Sequence, residues 1–170
     1  MLQKAQKLKH NVNYLRIDTN AIALDNTRIH NILQSAIHGA PLLVVFSVDA
    51  FSASVYQTVK GRDYRQTVYK NIRQFIRQRK KYGNQCHINI QIQFVVQEQN
   101  HQDIECFLEY FMDLFQCQAG PWHDEILFKP LSVDGGGVGQ QRADELYASI
   151  LPIVERYKNN EIVDVKTWSV

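Results

Sequence analysis

The chain has 170 residues, 45% of them hydrophobic, and a formal net charge of +2. That length and apolar content suit one compact domain with a buried core, and the near-neutral charge gives no argument for a nucleic-acid partner. No run of about 18 apolar residues exists to span a bilayer, and the basic stretch from Met1 to His10 lacks the apolar centre of a secretory leader, so a cytoplasmic chain with neither membrane nor nucleic acid as partner is expected.

Asn13 to Asn20 reads as a short strand with Leu15 and Ile17 on one face. Asp25 stands where it can cap a helix whose apolar positions are Ile29, Ile32, Leu33, Ala36 and Ile37; Gly39-Ala40-Pro41 ends it. Leu42 to Asp49 is apolar on both faces until Ser47 and Asp49. That is the pattern of a covered parallel strand, with polar groups at the end where α/β folds bind ligands. Ser52 can cap a short helix to about Val59, broken at Gly61. A long helix follows from Asp63 to about Tyr82, with Val68, Ile72, Phe75, Ile76 and Arg79 in the spacing of one buried face. Its Arg65, Lys70, Arg73, Arg77, Arg79, Lys80 and Lys81 form a basic stripe that reads as a solvated outer surface.

Gly83-Asn84 stops that helix. From His87 to Val96 the chain alternates, with Ile88, Ile90, Ile92 and Phe94 on one face and the amides of Asn89, Gln91 and Gln93 on the other. Asn100 and Asp103 look like a capping pair for a helix over Ile104, Phe107, Leu108, Phe111, Met112 and Phe115. Gly120-Pro121 punctuates, and Glu125 to Leu131 is a further strand. The glycine run at 135–139 lacks a dinucleotide or P-loop pattern, because Gln140 stands at the third glycine position; it reads as a plain turn. A last helix covers about Ala143 to Lys158, where Pro152 predicts a kink or break. The order is β-α-β-α-α-β-α-β-α, which implies a parallel sheet with right-handed crossovers. Four strands are too few to close a barrel.

Cys86, Cys106 and Cys117 are odd in number and widely spaced, which fits neither a disulfide framework nor paired zinc ligands. They read as reduced thiols. The six histidines show no ligand spacing, so no metal site is expected, and no catalytic residue can be assigned.

In this order the motifs resemble those of radical S-adenosylmethionine enzymes. Asp18 to Leu24 is similar to the threonine-asparagine-glycine turn after that family's third strand, and Val45 to Ala50 to the serine-x-aspartate-glycine element of the fourth. Tyr56 to Tyr64 and Asn71-Ile72 resemble the segments that follow. Phe94 to Asn100 looks like the fifth strand and its exit loop; Phe128 to Leu131 with the glycine run looks like the sixth. The likeness covers about residues 13–139 and lies nearest members with an extra C-terminal cluster domain, the SPASM type. It implies an α/β fold of parallel strands, a partial (β/α) barrel comprising strands three to six. Residues 1–139 would be the partial core and 140–170 a C-terminal helix and tail leading out of it.

The resemblance implies that Ser47 and Asp49 face the methionyl carboxylate or ribose hydroxyls of S-adenosylmethionine. Thr19 and Asn20 would line the neighbouring strand end, Lys60 would stand where many members have arginine, and Gln91 and Gln93 would project into the lumen. It also implies a [4Fe-4S] cluster, yet the Cys-x3-Cys-x2-Cys loop and the Gly-Gly-Glu element are both missing, and Ala21 and Ala50 replace two turn glycines. The expectation is therefore an incomplete member, truncated or split, whose parent activity would be radical modification of a peptide, protein or small molecule. The chain by itself would be inactive, and a second polypeptide could complete the barrel. The competing readings are a non-catalytic scaffold and a small nucleotide-binding α/β domain.

Overall fold

The computed structural model describes residues 14–37, 40–132 and 138–168. The elements in chain order are β1 (Leu15–Thr19), α1 (Asn26–Ile37), β2 (Leu42–Ser47), α2 (Ala53–Lys60), α3 (Arg65–Tyr82), β3 (Ile88–Val96), α4 (Ile104–Cys117), β4 (Asp124–Pro130), α5 (Val138–Glu155) and β5 (Val163–Thr167). All neighbouring strands are parallel, and their order in the sheet is their order in the chain, β1-β2-β3-β4-β5.

A sheet wound in one direction keeps every crossover helix on one side, as in a (β/α) barrel. The burial pattern agrees. One side of the sheet, with Val44, Phe46, Ile90, Ile92, Phe94, Ile126, Phe128 and Val165, joins Leu33, Phe75, Phe107, Phe111 and Ile150 of the helices in a single core. Phe94, Phe107 and Phe111 meet at centroid distances of 4.8 Å, within the range of favourable aromatic pairs. The opposite side carries Arg16, Asp18, Ser47, Asn89, Gln91, Gln93, Glu125, Lys129 and Lys166, none of which belongs to that core.

The turn chemistry is as the sequence suggests at two places. The Arg28 N–H donates to Asp25 Oδ1 over 2.8 Å, a side-chain cap on α1. Gly61 ends α2 at φ +76°, a left-handed conformation that glycine adopts without strain.

Elsewhere the structure corrects the reading. Among the described residues there are five strands, not four, because β5 pairs with β4 from Asp124↔Val163 to Phe128↔Thr167. Only Val163 and Val165 are apolar in that short stretch, so its period-two signal is faint. The last helix is not broken at Pro152 but runs on to Glu155; the exposed proline forfeits one helical hydrogen bond, on a face where water can satisfy the freed carbonyl. Neither Asn100 nor Asp103 makes a side-chain cap, and Ser52 makes none on α2. The glycine run at 135–139 lies largely outside the described residues.

Arg79, spaced with the apolar positions of α3, is fully buried. Its Nη1 and Nη2 donate to Asp124 Oδ1 and Oδ2 at 2.6 and 2.5 Å, and Nη1 also donates to Ile88 O at 2.9 Å. The Ile90 N–H donates to the same Asp124 Oδ1 at 2.8 Å, and the Trp122 ring covers the guanidinium at 4.1 Å. This two-pronged ion pair ties α3 to the entry ends of β3 and β4.

Candidate functional site at the strand exits

Two groups of polar residues stand out, one at the C-terminal ends of the strands and one on the face of the sheet away from the helices. The first holds the exit loops together. Asp49 adopts φ +60°, a conformation that an aspartate tolerates better than most residues. There its Oδ1 accepts the Val95 N–H at 2.7 Å, and Lys60 forms an ion pair with its Oδ2. Asn100 is fully buried; its Nδ2 donates to Asp49 O and to Val95 O, both at 2.8 Å, while its Oδ1 accepts the Gln97 N–H. Asp103 Oδ2 accepts the N–H groups of Phe51 and Ser52 at 2.7 and 2.8 Å and the Ser52 hydroxyl at 3.2 Å. The loop after β2 is thus fastened to the loop after β3 by side chains that local pattern reads as caps.

On β1 the turn is similarly self-contained. Thr19 Oγ1 accepts the Ala21 N–H and Asn20 Oδ1 the Ile22 N–H, each at 3.1 Å. Ala21 sits at φ +60°, strained for an alanine, and Asn71 Nδ2 donates to its carbonyl at 2.9 Å.

The second group faces the concave side of the sheet. Register places Ser47, Gln93, Leu127 and Lys166 in one row, and Asp18, Val45, Gln91, Glu125 and Asp164 in the row before it. Adjacent members are about 4.8 Å apart. Gln91 is 5% exposed. Its Nε2 donates to Glu125 Oε1, and its own Oε1 is buried with no partner among the described residues. Lys166 Nζ lies 2.6 Å from Glu125 Oε2. That bond raises the Lys166 pKa, against a smaller opposing effect of burial. Ser47 and Gln93 are half-buried, and their side chains have no hydrogen-bond partner among the described residues. Toward β5 an open hollow of about 570 Å³ is lined by Gln91, Glu125, Leu127, Lys166, Thr167 and Trp168, among others; neither Ser47 nor Gln93 lines it.

The expected site residues therefore divide. Ser47, Gln91 and Gln93 come together on the concave face. Thr19, Asn20, Asp49 and Lys60 serve the loops around it. Glu125 and Lys166 were missed: the first falls at the start of a recognised strand and the second beyond the last recognised element. The alternation of Glu125, Leu127 and Lys129 against Ile126 and Phe128 was the signal available for the first.

The cysteines do not converge. Cys86 is buried below the entry end of β3, while Cys106 and Cys117 are exposed at opposite ends of α4. Among the described residues no three His, Cys, Asp or Glu side chains are grouped to hold a metal ion, so this thiol set does not fit a [4Fe-4S] cluster. Burial pushes the Cys86 thiol up to about 11. In native protein at pH 8 a thiol-specific chromogenic reagent is expected to titrate Cys106 and Cys117 rapidly and Cys86 only after unfolding; a third fast thiol would contradict this. An unfolded cysteine ionises near roughly 8.5, so the stability this group contributes is complete below that pH. It is lost as pH rises toward 11.

No helix among the described residues is long and apolar enough to cross a membrane. No protein-family model matches the chain, and a search of curated proteins finds no significant match. Among solved structures it is similar to SuiB of Streptococcus suis bound to S-adenosylmethionine, at a TM-score of 0.59 and 12% identity, and to a second SuiB structure at 0.54 and 15%. Each alignment covers 99% of this chain and 35% of the SuiB chain. This chain thus spans about a third of the length of the protein it resembles. At this identity the likeness establishes the fold: an α/β arrangement of five parallel strands in the form of a partial (β/α) half-barrel.

Proposed function

We propose that the concave face of this half-barrel binds S-adenosylmethionine along β2, β3 and β4, as part of a radical S-adenosylmethionine protein of the SPASM type. The observation that carries the reading is the uncommitted pair Ser47 and Gln93. Two half-buried polar side chains without partners, on the same face of the sheet as Gln91, Glu125 and Lys166, are what a small polar ligand requires. S-adenosylmethionine carries an ammonium, a carboxylate, a sulfonium and two ribose hydroxyls. Glu125 and Lys166 present one charge of each sign, and the amides and hydroxyl supply neutral donors and acceptors. The SuiB structure with S-adenosylmethionine bound supports the choice of ligand. Asp49, Lys60, Thr19 and Asn20 act one step back, holding the loops at the strand exits.

Bound S-adenosylmethionine would bring an activated sulfonium carbon to the site. The described residues offer nothing that fits a reducing cluster, so no radical step is assigned to them, and binding is the activity proposed here. Residues 1–139 form the binding unit in this reading, with 140–170 contributing Lys166 to its rim.

Isothermal titration of the chain with S-adenosylmethionine is expected to show saturable binding, and Ser47→Ala/Gln93→Ala to weaken it about tenfold or more, one neutral hydrogen bond being worth about 1 kcal/mol. Absence of heat with the unaltered chain would overturn the proposal and leave the scaffold reading. Tighter binding of ATP would favour the nucleotide-domain reading.

A further inference from the structure

The long helix α3 carries seven of the chain's 19 Lys and Arg and no Asp or Glu. Three of the seven are committed. Arg79 is paired with Asp124, Lys80 donates to Cys117 O at 3.1 Å, and Arg65 stacks on Phe51 and Tyr69 at 4.9 Å from each centroid. The other four, Lys70, Arg73, Arg77 and Lys81, are exposed and have no ion pair or hydrogen bond among the described residues. A solvated helix ordinarily intersperses acids at i+3 or i+4 to offset such a row; this one intersperses glutamines.

Steps of three, four and four residues put the free cations in one stripe about 16 Å long. With Tyr110 of α4 they line an open groove of about 740 Å³. We propose that this groove docks an acidic peptide segment of another protein, with carboxylates at helical i, i+3 and i+4 spacing meeting Lys70, Arg73, Arg77 and Lys81. The proposal does not depend on S-adenosylmethionine binding, which concerns the other side of the sheet.

Charge and width select the occupant. The chain as a whole is only +2, so the cations of this helix are offset by acids elsewhere in the chain. The neighbouring α4 carries Glu105, Glu109 and Asp113 and no Lys or Arg. A nucleic-acid duplex wider than one helix would bring its phosphates against those carboxylates, whereas a peptide helix about 10 Å across fits the stripe alone.

Fluorescence anisotropy with a labelled helical peptide of about four turns, glutamate at every third or fourth position, tests the proposal. The peptide is expected to bind saturably, roughly tenfold more weakly at high salt. The same peptide with glutamine for each glutamate is expected not to bind. Arg73→Glu/Arg77→Glu is expected to abolish binding while leaving the melting temperature and S-adenosylmethionine titration unchanged. Should that variant melt lower, Arg73→Gln/Arg77→Gln takes its place, with a loss of about tenfold. Failure of the glutamate peptide to bind overturns the proposal, as does binding that survives charge reversal. Tighter binding of a single-stranded RNA or a DNA duplex of matched charge also overturns it, assigning the groove to nucleic acid instead.

Discussion

Asp124→Ala is expected to lower the stability of the fold by roughly 3–5 kcal/mol, the cost of leaving a buried charge without its partner. Arg79 is fully buried, with both Nη groups on that carboxylate, so the substitution strands a guanidinium between β3, β4 and Trp122. It also removes the acceptor of the Ile90 N–H, at the entry end of the central strand. For a chain of this size the melting temperature should fall by about 8–15 °C, measured by thermal denaturation followed by circular dichroism. The double replacement Arg79→Met/Asp124→Leu should recover most of the loss, since well-packed apolar residues often replace a buried ion pair without penalty. If Asp124→Ala melts within a degree or two of the unaltered chain, the pair has no structural importance.

Asn100→Asp should cost about 2–4 kcal/mol, although it changes neither size nor shape. Asn100 uses its amide hydrogens on two carbonyls, Asp49 O and Val95 O, and its oxygen on the Gln97 N–H. An aspartate retains the last bond but turns an acceptor toward two carbonyl oxygens in a site closed to water, leaving buried groups opposed and unpaired. Chemical denaturation should show the midpoint shift with an unaltered slope. Because the same bonds fix the exit loops that follow Ser47 and Gln93, S-adenosylmethionine affinity should fall with it. Asn100→Asp with the stability of the parent chain would show that the exit loops are not fastened through this amide.

The sheet was legible because its signals are periodic. Alternation from Ile88 to Phe94 marks a strand by itself, and the apolar run of β2 with polar residues at its end marks a covered parallel strand with a site nearby. Ser47, Gln91 and Gln93 followed from that phase, since a strand's faces are set by parity alone. What escaped were contacts between loops distant in the chain. Asn100 and Asp103 precede a helix, so local pattern reads them as its caps, yet their partners are Asp49, Phe51 and Ser52 in another loop. Arg79 was placed on the buried face by spacing, but nothing in the sequence names Asp124 as the residue that makes its burial possible. β5 escaped for want of length.

The bonds from Asp103 to Phe51 and Ser52 have a kinetic corollary. Backbone amides in surface loops generally exchange with deuterated solvent on the fastest timescale of a protein. Those of Phe51 and Ser52 can exchange only when the segment after β3 lets go as well. The loops after β2 and β3 should therefore open as one unit with a shared rate, so that a molecule seated against either would slow exchange in both at once.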